Sequence, residues 1–455
     1  MKVLKCNYTC VFALVMFFLL LSSIVGAQTI DSRFDEYMNR AAKLGRFNGY
    51  VLVARDGKTI FGKGYGMANF EEDVPATPQT KFRLASITKG FTAMAVMMLQ
   101  EKGKLDLQDS ICKYLNGCPD AWKPVTVRRL LNHTSGISDY AAAPDFMRTI
   151  SLPVTIDELI GNFRNKPLQF APGENFAYSN SNYILLGQII EKVSGQPFDV
   201  FVRENIFAPL NMKNSGYDDN TALLKHRAIG YINRSDKIIN ARYMDMSNAY
   251  AAGGLYSTAA DLLLWNQALD AGRLVSKKSL EEIFTPGKGG VGYGWFINRD
   301  ANRLAIFQGG LNSGFAVSIF RYPEDRACVI LLNNFENAAP HLPRIGRDLT
   351  AILFNEKYEL PAESVTVKVD AKIYDAYIGE YDFGQNRIIT ISKEDGKLFA
   401  QRAGAPPNEM FPESETRFFL KVADVGFGFV KDGAGKVTGL ILYANGQEMK
   451  GNKVK

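Results

Sequence analysis

The stretch FRLASITKGFTAMAVMMLQE, residues 82–101, carries one lysine, Lys89, and no further charge until Glu101. A run this apolar reads as a helix buried on most sides. Ser86 stands three residues before the lysine, and residues three apart share a helix face. A hydroxyl and an amine therefore point the same way at the head of this helix. Burial disfavours the ammonium, and so does the positive end of the helix dipole. Both push the lysine towards a neutral amine that can act as a base. The same helix end supplies free backbone N–H groups where an oxyanion can sit. The stretch thus joins a nucleophile, an activating amine and part of an oxyanion hole. An N-cap serine beside a lysine that snorkels to solvent is the ordinary alternative.

Ser-x-x-Lys alone is weak, since chance supplies about two matches in a chain this long. Ser110 and Lys113 form the second one. It lies in a polar region and reads as chance. Further residues favour the first. The segment FAPGENFAYSNSNYILLGQIIEKVSG holds Tyr178-Ser179-Asn180 in a loop opened by Pro172-Gly173. A helix is expected from near Asn182 to Gly195. A phenol beside the lysine can relay the serine proton, and an Asn amide can hold a substrate carbonyl. An Asx-rich helix cap with a packing tyrosine is the other reading of the same residues.

Ser86-Ile-Thr-Lys89, Tyr178-Ser179-Asn180 and LLNHTSGI (130–137) together resemble the serine β-lactamase and DD-peptidase superfamily. The branch is the class C β-lactamase-like group, with its D-alanyl-D-alanine carboxypeptidases, D-amino-acid peptidases and esterases. GGLYSTAADLLLW (253–265) and GYGWFI (292–297) are similar to that group as well. The match runs from about Phe34 to Phe354 in the family's order. It implies an acyl-enzyme in which Ser86 attacks, Lys89 and Tyr178 move protons and Asn180 orients substrate. It implies no metal and no organic cofactor. The family's third motif, Lys-Thr-Gly or His-x-Gly, corresponds here to Gln308-Gly309-Gly310, and by analogy the N–H of Leu311 completes the oxyanion hole. A neutral Gln308 offers a substrate carboxylate a donor but no charge. Lys288-Gly289-Gly290 competes for the role but stands too early in the order.

Other candidates read as structural. His133 suggests a Ser–His–Asp triad, but the chain has no Gly-x-Ser-x-Gly and its one late histidine, His341, lies in an ordinary segment. A buried loop histidine satisfied by hydrogen bonds fits His133 better. Trp265 and Trp295 read as core, and Cys328 in ACVILL as a small buried hydrophobe.

The 455 residues suggest two domains, and 46% hydrophobic with 22% charged residues is an ordinary globular composition. The net charge of +6 is scattered, which excludes a nucleic-acid footprint. Lys2 and Lys5 precede the apolar run Val11–Leu21, and IVGAQ places Val25 and Ala27 before Gln28. Residues 1–27 therefore read as a cleaved signal peptide, and the chain as exported, periplasmic or secreted. The apolar run is short for a membrane span. In an oxidising compartment, Cys112 and Cys118 either form a small disulfide or stay as two unlinked thiols.

The expected architecture is α/β (α+β), an antiparallel sheet sandwiched by helices with an all-helical subdomain. YVLVARDGKTIFGKGYG forms a hairpin around Asp56-Gly57, and strands return from GYGWFI to ACVILLNN, turning at Pro323-Glu324-Asp325. Strands from both ends thus meet in one sheet within residues 28–359. Residues 360–370 read as a linker. Residues 371–455 form short alternating runs with turns at Asp395-Gly396, Asp432-Gly433 and Asn445-Gly446, a small all-β barrel-like domain. It resembles lipocalin-like modules that follow this type of hydrolase. The expected partner is a small-molecule or peptide substrate. A binding or sensor protein on the same scaffold, without turnover, is the rival reading, and the oligomeric state stays open.

Overall fold

The computed structural model describes residues 29–455 except 235–236, 301–302, 364–365, 385–386, 403–406, 422–424 and 445–446. The signal segment and the Asn445-Gly446 turn lie outside the described residues.

Helix α1 is Ile30–Lys43, and it is followed by strands β1 (Gly49–Arg55) and β2 (Lys58–Tyr65). The central chain is mostly helical: α2 (Thr88–Glu101), α3 (Asn180–Ser194) and α4 (Ala259–Ala271). Four strands then follow, β3 (Phe296–Asp300), β4 (Arg303–Asn312), β5 (Phe315–Tyr322) and β6 (Ala327–Asn333), and after them α5 (Leu342–Leu353). The six strands form one sheet in the order β3-β4-β5-β6-β1-β2, with every pairing antiparallel.

The two ends of this domain meet where β1 pairs with β6, Val51 opposite Leu331 and Val53 opposite Val329. Side chains of a strand alternate between faces. Val51, Val53, Val329 and Leu331 accordingly pack under α1 and α5. Leu52, Ala54, Ile330 and Leu332 pack into the larger core with Phe91, Trp265 and Trp295. Both faces are covered, which is why VLVA and ACVILL are continuously apolar. Cys328 is buried there, as its surroundings in sequence suggest.

Cys112 and Cys118 are joined in a disulfide, which decides the alternative left open by the sequence. Ser110 caps a short turn with its hydroxyl on the Lys123 carbonyl, while Lys113 pairs with Asp109. The two do not form a serine–lysine pair.

Residues 379–453 form a closed barrel of eight strands in sequential order. Its interior is filled by Tyr377, Tyr381, Leu398, Phe418, Phe427, Phe429 and Leu440. The rings of Tyr377 and Phe429 stack at 4.0 Å. The barrel is thus a packed core of its own. The connecting segment touches both sides: Arg46 donates to the Ala362 carbonyl, and Val367 N–H to Pro412. Among the described residues no helix is long and apolar enough to cross a membrane.

Candidate active site

Ser86 stands on a 3₁₀ turn, Ala85–Ile87, immediately before α2. The sequence suggested the first α-helical turn instead. The tighter turn follows from Ala85, whose φ of 45° is left-handed. Its neighbours hold it there. Leu84 N–H donates to Leu255 O, and Gly310 of β4 lies so close that a Cβ would fall 2.4 Å from the Leu84 carbonyl. Only glycine fits at Gly310. Gly294 does the same one turn later, where a Cβ would fall 2.7 Å from Lys89 O. β4 and the GYGW segment thus clamp the turn and the start of α2 from two sides.

Lys89 is fully buried. Its Nζ donates to Ser86 Oγ at 2.9 Å, to Asn180 Oδ1 at 2.8 Å and to the Ala252 carbonyl at 2.8 Å. Burial pushes its pKa down to about 7, while the charge of Asp139 acts in the opposite direction. An ammonium has three N–H groups, one for each of these acceptors. A neutral amine has two and a lone pair. The Ala252 and Asn180 oxygens can only accept, so the lone pair falls to Ser86, whose hydroxyl then donates to it.

Tyr178 approaches Ser86 from the other side, its hydroxyl donating to Oγ at 2.9 Å. Burial raises the Tyr178 pKa far above the ordinary phenol value, so the group is a neutral phenol. Its ring stacks on His133 at 4.4 Å and on Phe296 at 6.5 Å. His133 accepts the Ser179 N–H at Nδ1, which leaves the ring proton on Nε2. Burial, and then the neighbouring Lys89, push His133 down to about 3. It is a neutral ring supporting Tyr178, and no recorded bond joins it to Ser86.

α3 begins at Asn180, two residues before the expected start, because Ser179 already has extended backbone and Asn180 is helical. This puts the Asn180 amide at the positive end of α3, facing Lys89. Its Nδ2 donates to Asp139 Oδ2 at 3.0 Å. Asp139 was missed in the sequence. Its signal, an Asp just before Tyr140 in SGISDY, is also that of a common turn cap, and it does cap the turn at Tyr140–Ala142. The Ala252 carbonyl, a backbone group, gave no signal at all.

Gln308 departs from expectation. Its Nε2 donates to the backbone carbonyl of Ser86 at 2.9 Å, and the residue is 2% exposed. One N–H of the amide is therefore held by the nucleophile's own backbone, and the buried side chain braces the Ser86 turn. Lys288 is exposed and donates to the Glu174 carbonyl. β3 begins at Phe296, opposite Phe307, so residues 308–312 pair with β5 on one side and face the Ser86 turn on the other. Gly310 is buried against that turn, while Gly309 and Leu311 on either side are exposed, Leu311 at 59%.

Comparison with known proteins identifies the family. A β-lactamase family profile matches residues 30–351, and a domain of unknown function (DUF3471) matches residues 363–453. Penicillin-binding protein 4* of Bacillus subtilis is 30% identical over 436 residues, covering 90% of this chain and 96% of that protein. The structure of an octameric penicillin-binding protein homologue from Pyrococcus abyssi superposes with a TM-score of 0.66 at 26% identity, covering 92% of this chain and 99% of the other. D-amino acid amidase from Ochrobactrum anthropi, solved with D-phenylalanine, gives 0.62 at 25% identity, covering 70% and 98%. The chain belongs to the β-lactamase and penicillin-binding protein superfamily of serine hydrolases, with a DUF3471 domain at its C-terminus.

Proposed function

We propose that the protein is an exported serine hydrolase that works through an acyl-enzyme on amide, lactam or ester substrates. The observation that carries the reading is the buried Lys89 amine, 2.9 Å from Ser86 Oγ and with its pKa pushed down to about 7. A base is most effective when its pKa lies near the working pH. Ser86 Oγ attacks the substrate carbonyl carbon and passes its proton to Lys89 Nζ. The carbonyl electron pair becomes an oxyanion, taken up by the N–H groups of Ser86 and Leu311. Collapse breaks the bond to the leaving group, which takes the Tyr178 proton, and Tyr178 is reprotonated from Lys89. Water then attacks the acyl-enzyme by the reverse relay and frees Ser86. Asn180 orients the substrate.

Within this reading, neutral amides and esters are favoured over carboxylate-bearing substrates, because Gln308 is uncharged and buried against Ser86. The related amidase solved with D-phenylalanine makes D-amino-acid amides the first compounds to try. Export rests on the basic start and apolar run of residues 1–27, and the Cys112–Cys118 disulfide fits an oxidising compartment. N-terminal sequencing of the exported protein is expected to begin at Gln28.

The test is intact-mass analysis of the purified protein after a fluorophosphonate. Turnover of D-phenylalanine amide, a chromogenic ester and a chromogenic cephalosporin follows. Labelling with turnover supports the enzyme. Labelling with no turnover of any substrate class supports the binding or sensor reading, which the altered third motif favours. A serine that never labels overturns both.

A further inference from the structure

An amide has an accepting end and a donating end, and only one of them suits the lysine. Asn180 turns Oδ1 to Lys89 and Nδ2 to Asp139. A carboxylate can only accept, so it dictates that orientation. Asp139 is itself held in place. Its Oδ1 accepts the backbone N–H groups of Asn180 and Ala141, both at 3.1 Å. With the Asn180 amide reversed, oxygen would face carboxylate and the NH₂ would face Nζ. That NH₂ would donate into the lysine's lone pair, and Ser86 would lose its base.

We propose that Asp139 is a positioning residue that locks the Asn180 amide with its oxygen towards Lys89, reserving the lysine's lone pair for Ser86. The inference rests on the serine–lysine reading above. Lys89 is also faced by the rings of Tyr178 and Tyr183, at 5.0 and 5.6 Å. Beyond them lies neutral His133, stacked on Tyr178. The short turn that bears Ala252 also carries Tyr250, buried and held as a neutral phenol, and β4 presents the uncharged Gln308. Among these described groups Asp139 supplies the negative charge that acts on Lys89.

The test compares the full chain with Asp139→Asn and with the exchange Asp139→Asn/Asn180→Asp. In Asp139→Asn the side-chain oxygen still accepts both backbone N–H groups, so the turn keeps its bonds. Its new NH₂ now opposes the NH₂ of Asn180 and drives the reversal. In the exchange the new amide donates to the new carboxylate, and Lys89 again meets an acceptor. Two quantities are read: the fluorophosphonate acylation rate against pH, and the Lys89 titration midpoint from NMR of ¹³C-labelled lysine.

Asp139→Asn is expected to acylate about 10-fold or more slowly, with the Lys89 midpoint lower by about one pH unit. The exchange is expected to return the midpoint to that of wild type or above it; its rate is not compared, because it also removes the Asn180 amide that orients substrate. A slowed Asp139→Asn with an unmoved midpoint makes Asp139 merely a turn cap and overturns the proposal. Normal rates and midpoint in Asp139→Asn overturn it as well. The midpoint decides the matter even where wild type fails to acylate, an outcome that counts against the hydrolase reading instead. Asp139→Ser, which can cap the same turn but brings neither charge nor an opposing NH₂, serves if Asp139→Asn does not fold: with the lock removed the midpoint is expected to fall, and an unmoved midpoint overturns the proposal.

Discussion

Lys89 Nζ lies 2.9 Å from Ser86 Oγ, and the lysine is fully buried. Two other oxygens, Ala252 O and Asn180 Oδ1, lie as near the amine, and neither can donate. The protonation state of Lys89 therefore decides the direction of its hydrogen bond to Ser86.

Ser86 is expected to be the acylated residue. Mass analysis after labelling should show a single adduct, lost in Ser86→Ala and kept in Ser110→Ala. An adduct that survives Ser86→Ala removes Ser86 from the chemistry.

Lys89→Arg keeps a charge that cannot be lost near neutral pH. It is expected to lower acylation by about 10²–10⁴-fold, the usual scale for a general base. In wild type the rate should rise with pH through a midpoint near 7, because only the neutral amine can take the serine proton. A folded Lys89→Arg protein with a near-normal rate shows that charge alone is needed.

The same group makes stability depend on pH. The folded pKa of Lys89 is about 7 and the ordinary value 10.5. Between these the unfolded chain binds more protons than the native one, so this contribution to stability increases with pH. Its slope is at most about 1.4 kcal/mol per pH unit. Urea titrations at pH 7 and 8.5 should show wild type gaining on Lys89→Met over that interval. Parallel changes in the two proteins would show that Lys89 has an unshifted pKa.

Gln308→Met removes the donor to Ser86 O at nearly constant volume. The Ser86 carbonyl keeps the Thr88 N–H, so the loss is that of one hydrogen bond, about 0.5–1.5 kcal/mol. The variant is expected to lose stability on that scale in denaturant titration and to acylate more slowly as the Ser86 turn loosens. If only selectivity between carboxylate and neutral substrates changes, Gln308 meets substrate after all.

A chain truncated after Glu359 is expected to stay soluble and to label at Ser86. The barrel has its own core, and Ser86, Lys89, Tyr178, Asn180 and Gln308 all precede it. A folded truncated protein that no longer labels would assign part of the site to the barrel.

Much of this molecule was legible in one dimension. Local rules carry period and turn chemistry, so the hairpin at Asp56-Gly57, the turn at Pro323-Glu324-Asp325 and the strand-rich C-terminal domain could be read directly. That strands from both ends of the hydrolase domain meet in one sheet was read from strand-like runs at both ends with helical segments between, and the structure supplied which of them pair. Ser86 and Lys89 were legible as neighbours because they are three residues apart on one face. What only the tertiary structure decided is which atoms spend their hydrogen bonds on which. Gln308 lies 222 residues from Ser86 and Asp139 lies 41 from Asn180. Ala252 contributes only its backbone, which every residue type shares. Sequence states which donors and acceptors exist. Their directions follow from close approach in the folded chain, where each buried polar group must find a partner and each partner taken is denied to another.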